Sequence, residues 1–172
     1  GAGRGHVLRG GGDGLTDSGA VELRPPWETQ PEWFRFGAAL ALGDFDDDFY
    51  DDLALGAPGW RAASGAALGT VHLVFGSAAG LDLERARDVP SPFPQEGASY
   101  GEALSAPDVD GDWIDDLLVG APGYDVCLKH GLIRIEDAGA AIELSGAAGL
   151  GLEGLTASLW VQGELTTADV RG

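Results

Sequence analysis

The chain contains no Met, no Asn, one Cys and one Lys in 172 residues. A single Cys, Cys127, excludes an intramolecular disulfide framework, so packing or bound metal must hold the fold. Cys127 reads as an ordinary loop residue. Without Asn there is no N-glycosylation acceptor. Ten basic residues stand against 28 acidic ones, giving a formal net charge of −18. The basic residues are scattered, and nucleic-acid binding needs them clustered, so that class is excluded. No apolar run approaches the roughly 20 residues of a spanning helix. Neither a leader segment nor an initiating Met is present, and the chain reads as an excised or processed fragment. Missing Met and Asn, with Arg far outnumbering Lys, suggest a bias in the coding sequence.

What the chain does have is enough apolar material for a core. Hydrophobic residues make up 44% of it, and its length fits one domain. It also has a repeat. Phe36-Gly37 is followed by Asp44-Phe45-Asp46-Asp47-Asp48-Phe49-Tyr50-Asp51-Asp52 and then by Gly56-Ala57-Pro58-Gly59. From residue 100, 64 positions on, Tyr100-Gly101 is followed by Asp108-Val109-Asp110-Gly111-Asp112-Trp113-Ile114-Asp115-Asp116 and then by Gly120-Ala121-Pro122-Gly123. A fixed period of this size marks a repeat architecture.

Carboxylates at positions 1, 3, 5 and 9 of a short loop converge when the chain curls around one point, and position 7 adds its backbone carbonyl. The expected ligands are Asp44, Asp46, Asp48 and Asp52 with the carbonyl of Tyr50. In the second copy they are Asp108, Asp110, Asp112 and Asp116 with the carbonyl of Ile114. All are oxygen donors, which favours calcium over magnesium or manganese and gives about two Ca²⁺ ions for two loops. A helix-flanked calcium hand is excluded, because its position-12 Glu is replaced by Leu55 and Val119. Calcium loops of this affinity class suit an extracellular or cell-surface location.

These motifs resemble the FG-GAP repeat of integrin alpha chains, whose repeats build an N-terminal β-propeller. The resemblance rests on Phe36-Gly37 with Gly56-Ala57-Pro58, and on Tyr100-Gly101 with Gly120-Ala121-Pro122. It implies an all-β fold of four-stranded antiparallel blades, each with a calcium loop between its first two strands. It also implies adhesion or partner recognition, through the face opposite the metal loops. The family carries Gly at loop position 6, where this chain has Phe49 and Trp113. If that position is left-handed, a bulky residue there costs about 1–2 kcal/mol.

A second element extends the period. His6-Val7-Leu8 matches His72-Leu73-Val74 and Ala141-Ile142-Glu143, each leading to a Gly-containing turn and a Leu. The expected strands are 36–42, 53–56, 70–75 and 85–89 in one copy, and 100–106, 117–120, 140–144 and 158–162 in the next. Residues 21–24 form an upstream fourth strand. Residues 1–35 then end a preceding blade. Residues 36–99 form one repeat with loop 44–52. Residues 100–172 form a second, with loop 108–116, an insertion at 124–137 and the start of another blade. About 2.7 repeats do not close a ring of four to eight blades, so the remaining blades are expected in a longer parent chain.

No catalytic constellation emerges. Gly97-Ala98-Ser99-Tyr100-Gly101 matches a nucleophile elbow, but a Pro-rich stretch precedes it and a strand follows, where an elbow needs a strand and then a helix. His6 and His72 read as surface strand residues, and His130 as solvated. Trp27, Trp33, Trp60, Trp113 and Trp160 fit either a surface for sugar or peptide or packing between blades, with Trp60 and Trp113 the expected exposed ones. The chain is therefore expected to be a non-enzymatic scaffold that recognises a protein or carbohydrate ligand, with partner contact at Tyr124 and Arg134 in the insertion. The alternatives are an accessory, non-catalytic propeller of a secreted enzyme and a structural spacer.

Overall fold

In the computed structural model, residues 3–25, 34–128, 133–147, 152 and 157–161 are described. All regular elements among them are strands: β1 (Gly5–Gly11), β2 (Gly14–Leu23), β3 (Leu40–Gly43), β4 (Asp52–Ala57), β5 (Thr70–Phe75), β6 (Asp82–Pro90), β7 (Ala103–Ser105), β8 (Leu117–Ala121), β9 (Val126–Leu128), β10 (Ile133–Ile135), β11 (Ala140–Leu144) and β12 (Ala157–Val161). β3-β4-β5-β6 form one antiparallel sheet in sequence order, and β7-β8-β11-β12 form a second. β1 and β2 pair as a separate hairpin.

β4 and β5 are buried at every position. Their Leu, Ala and Val residues dominate, broken inside β5 only by His72, and suit strands covered on both faces. One face, with Ala54, Val71, Leu73 and Phe75, joins Tyr100, Leu117, Val119, Ile142 and Leu144 of the second repeat in one cluster. The other, with Leu53, Leu55 and Val74, packs with Leu23, Val7 and Val21 of the β1–β2 hairpin. Face-to-face stacking of small twisted sheets is blade packing. Contact between the two blades is close at Gly56, where an added Cβ would lie 2.0 Å from the Gly101 carbonyl oxygen.

Both aromatic-Gly pairs are turns, so the first strands begin at Leu40 and Ala103 and not at residues 36 and 100. Arg35 and Ser99 have φ of 51° and 57°, and Gly37 and Gly101 have φ of 78° and 92°. This left-handed backbone aims the Gly37 and Gly101 amides at the Gly56 and Gly120 carbonyls (2.9 and 3.1 Å). Each aromatic-Gly pair thus caps the Gly-Ala-Pro strand of its own repeat, while Phe36 and Tyr100 are buried.

Motif similarity aligns His72 with Ala141, but the strand register differs by one residue. Leu55 pairs with His72, and its equivalent Val119 pairs with Ile142. A one-residue shift in a strand exchanges its two faces. His72 is accordingly buried, with its ring 5.8 Å from that of Phe36 and Nδ1 2.8 Å from an Asp88 carboxylate oxygen, whereas His6 is exposed. The surface reading of His72 is therefore corrected.

The insertion contains a short hairpin in which Cys127 on β9 pairs with Arg134 on β10. Cys127 is an exposed strand residue, not a loop residue. Tyr124 packs partly against the interblade core. Trp113 is exposed, Trp60 is half-buried, and Trp160 donates from Nε1 to Glu143 (3.2 Å). Trp27, Trp33 and His130 lie outside the described residues.

Candidate metal centre

The acidic loops connect β3 to β4 and β7 to β8, on one end of adjacent blades. In loop one, Asp44, Asp46 and Asp48 each bring a carboxylate oxygen within 4.8 Å of the other two; in loop two, Asp108, Asp110 and Asp116 do the same. Asp52 and Asp112 are not in these groupings.

The loops fold by one hydrogen-bond plan. The position-1 carboxylate accepts from the position-6 amide: Phe49 to Asp44 (2.8 Å) and Trp113 to Asp108 (3.2 Å). The position-5 carboxylate accepts from the position-7 amide: Tyr50 to Asp48 and Ile114 to Asp112 (both 2.9 Å). The position-9 carboxylate accepts from the position-2 amide, Phe45 to Asp52 (3.2 Å) and Val109 to Asp116 (2.8 Å). Its other oxygen accepts from a Gly after the third strand, Gly76 (2.7 Å) or Gly146 (2.9 Å). Such side-chain-to-backbone bonds are what Asp offers in tight loops.

Position 6 is left-handed in both loops, with φ of 68° at Phe49 and 74° at Trp113. The rings point away from the fold and are 89% and 91% exposed, so burial returns nothing for the strain.

Two features of loop one would suit a bound cation. Asp46 is 3% exposed, and its Oδ1 is buried without a hydrogen-bond partner. A bare buried carboxylate oxygen costs several kcal/mol unless a cation or donor meets it. Asp52 is fully buried, and burial raises its pKa to about 6 against the Gly76 hydrogen bond, with the Asp46 charge pushing the same way. A hard divalent ion would relieve both, and the all-oxygen donor set fits calcium.

Sequence reasoning missed two residues. Asp115 joins the loops: its amide donates to the Asp44 carbonyl (3.0 Å), and its Oδ2 accepts from the Asp44 amide (3.0 Å). Asp at position 8 of both loops, Asp51 and Asp115, was the available signal. Arg85 on β6 reaches Asp46 Oδ2 at 2.7 Å, and no local pattern announces that contact across the fold.

Stacked four-stranded blades with an acidic loop between first and second strands define a β-propeller repeat protein. The chain belongs to the FG-GAP family: the FG-GAP repeat model matches residues 36–74 and 100–141. It is 41% identical to integrin alpha-PS3 of Drosophila melanogaster over 129 residues, 66% of this chain and 11% of that protein. Against integrin alpha-IIb of Homo sapiens it is 42% identical over 91 residues, 52% of this chain and 8% of that protein. A third relative, phosphatidylinositol-glycan-specific phospholipase D of Bos taurus, is 35% identical over 94 residues, 51% of this chain and 11% of that protein. The chain thus spans about a tenth of the length of these relatives.

Proposed function

We propose that the chain is a calcium-held propeller segment serving as a ligand-recognition scaffold in an exported protein. The observation that carries the calcium reading is the buried, unpartnered Asp46 Oδ1 beside Asp44 and Asp48. Calcium would be held by Asp44, Asp46 and Asp48, with Asp52 and the Tyr50 carbonyl completing the set. In loop two Asp108, Asp110 and Asp116 would hold it, completed by Asp112 and the Ile114 carbonyl. The ion would offset carboxylate repulsion and fix the loops that Asp115 ties together.

Further blades fit the first sheet. Leu40 and Leu42 on β3 are 60% and 62% exposed, whereas their repeat counterparts Leu104 and Ala106 pack against the interblade core. Inner strands of another blade would cover them as β3 and β4 cover β7. The partner is proposed to be a protein or carbohydrate bound away from the metal loops, with integrin alpha chains as the model. Likeness to the phospholipase D supports a second reading, an accessory propeller beside a catalytic domain.

Thermal melts with calcium and with chelator test the scaffold reading. At ten times the dissociation constant each site adds about 1.4 kcal/mol, a shift of about 3–6 °C for a domain of this size. Coincident melts would refute it.

A further inference from the structure

We propose that Arg85 is a tethered counter-cation of loop one, which holds that loop in shape without calcium and makes it the weaker of the two sites. The inference rests on the calcium reading and adds an inequality between the loops that their matched Asp positions do not suggest.

The Asp46 carboxylate is divided. Oδ2 takes the Arg85 guanidinium at 2.7 Å, and Oδ1 is buried with no partner. The guanidinium is also fixed from its other side, with Cζ 4.2 Å from the centroid of the Phe75 ring, a cation–π contact. Phe75 is buried, so the platform is rigid. Guanidinium does not lose its proton in proteins, and the hydrogen bond to Asp46 raises its pKa further. Arg85 is thus a permanent positive charge bonded to one oxygen of a carboxylate whose other oxygen is open to an ion.

Among the described residues, loop two has no equivalent. The stretch of the second repeat corresponding to β6, residues 149–162, contains no Lys, Arg or His. Among the described residues, no ion pair involves Asp108, Asp110, Asp112 or Asp116. The two loops share Asp at positions 1, 3, 5 and 9; besides which carboxylates converge and Asp47 in place of Gly111, loop one differs by a held cation.

The consequences are opposite with and without the ion. Without calcium, Arg85 partly neutralises Asp46, so loop one keeps its shape while loop two bears its charge unrelieved. When calcium enters, Asp46 must share its charge with Arg85, and the guanidinium repels the dication at close range. A unit charge about 5–6 Å from a divalent ion, at the dielectric of water because Arg85 is 45% exposed, lowers affinity about tenfold. Calcium therefore fills loop two first. Loop one, clasped to it by Asp115, fills second.

The test is a calorimetric calcium titration of the whole chain with one loop silenced. In an Asp110→Ala background, which reports loop one, Arg85→Gln is expected to bind calcium about tenfold more tightly, while Arg85→Lys stays within about threefold of Arg. In an Asp48→Ala background, which reports loop two, Arg85→Gln changes nothing. Should Arg85→Gln not fold in chelator, titration from the loaded side with a competing chromophoric chelator reads the same ordering. Unchanged or weaker loop-one affinity in Arg85→Gln, or an equal change at both loops, overturns the assignment while leaving the calcium reading intact. No calcium bound at either loop of the unmutated chain overturns both.

Discussion

Replacing Tyr100 by Phe should stabilise this protein. Tyr100 is wholly buried between the blades, and its hydroxyl has no hydrogen-bond partner. Burying a hydroxyl unpaired costs about 1–3 kcal/mol. The equivalent position of the first repeat already holds Phe36, in the same left-handed turn and equally buried. Deleting one oxygen leaves a void too small for water and forfeits a few tenths of a kcal/mol in contacts. The net gain is about 1–2 kcal/mol, or about 2–8 °C in Tm. A pH signature accompanies it. Burial pushes the Tyr100 phenol above its usual range, while in the unfolded chain it titrates near pH 10. Below about pH 9 both states are protonated and the gain is constant. Above pH 10 only the unfolded chain releases this proton, so stability falls by up to about 1.4 kcal/mol per pH unit. Tyr100→Phe removes that contribution, and its advantage should widen with alkalinity. Thermal or urea unfolding at pH 7.5 and pH 10.5 measures both effects. An unchanged or lower Tm at pH 7.5, or an advantage that does not grow at pH 10.5, would refute the reasoning.

Two further substitutions probe the backbone. Gly56→Ala would drive a Cβ to 2.0 Å from the Gly101 carbonyl oxygen, backbone against backbone, and part the blades; a loss of about 3 kcal/mol or more is expected in urea unfolding. Trp113→Asn keeps a residue that tolerates the left-handed backbone and removes a ring that is 91% exposed, so a gain of up to about 1 kcal/mol is expected in thermal melts.

The architecture was legible because each repeat states it twice. The mostly apolar runs at Thr70–Phe75 and Ala140–Leu144 were read to the residue, each holding one internal polar residue, His72 or Glu143, among its apolar ones. Aromatic-Gly pairs misled, because Phe36 and Tyr100 look like strand residues while their neighbours adopt positive φ. Three-residue strands such as β9 and β10 leave too little periodicity to detect, so the insertion read as an unstructured connection. Placing His72 required register, which similarity between short motifs fixes only to within one residue. The loops announced their carboxylates by spacing. What spacing could not convey was which oxygens the backbone already engages: both of those on Asp52 accept amides, while one on Asp46 has no partner. Arg85 was invisible for the same reason, 39 residues from its partner and joined to it only by folding.

The central claim is that the paired loops hold calcium, and calorimetric titration of the whole chain tests it most directly. Two sites are predicted in the roughly 10⁻⁴–10⁻³ M range of extracellular modules, with Asp48→Ala and Asp110→Ala each removing one. A titration silent up to about 10 mM calcium, an order of magnitude above that range, would contradict the account.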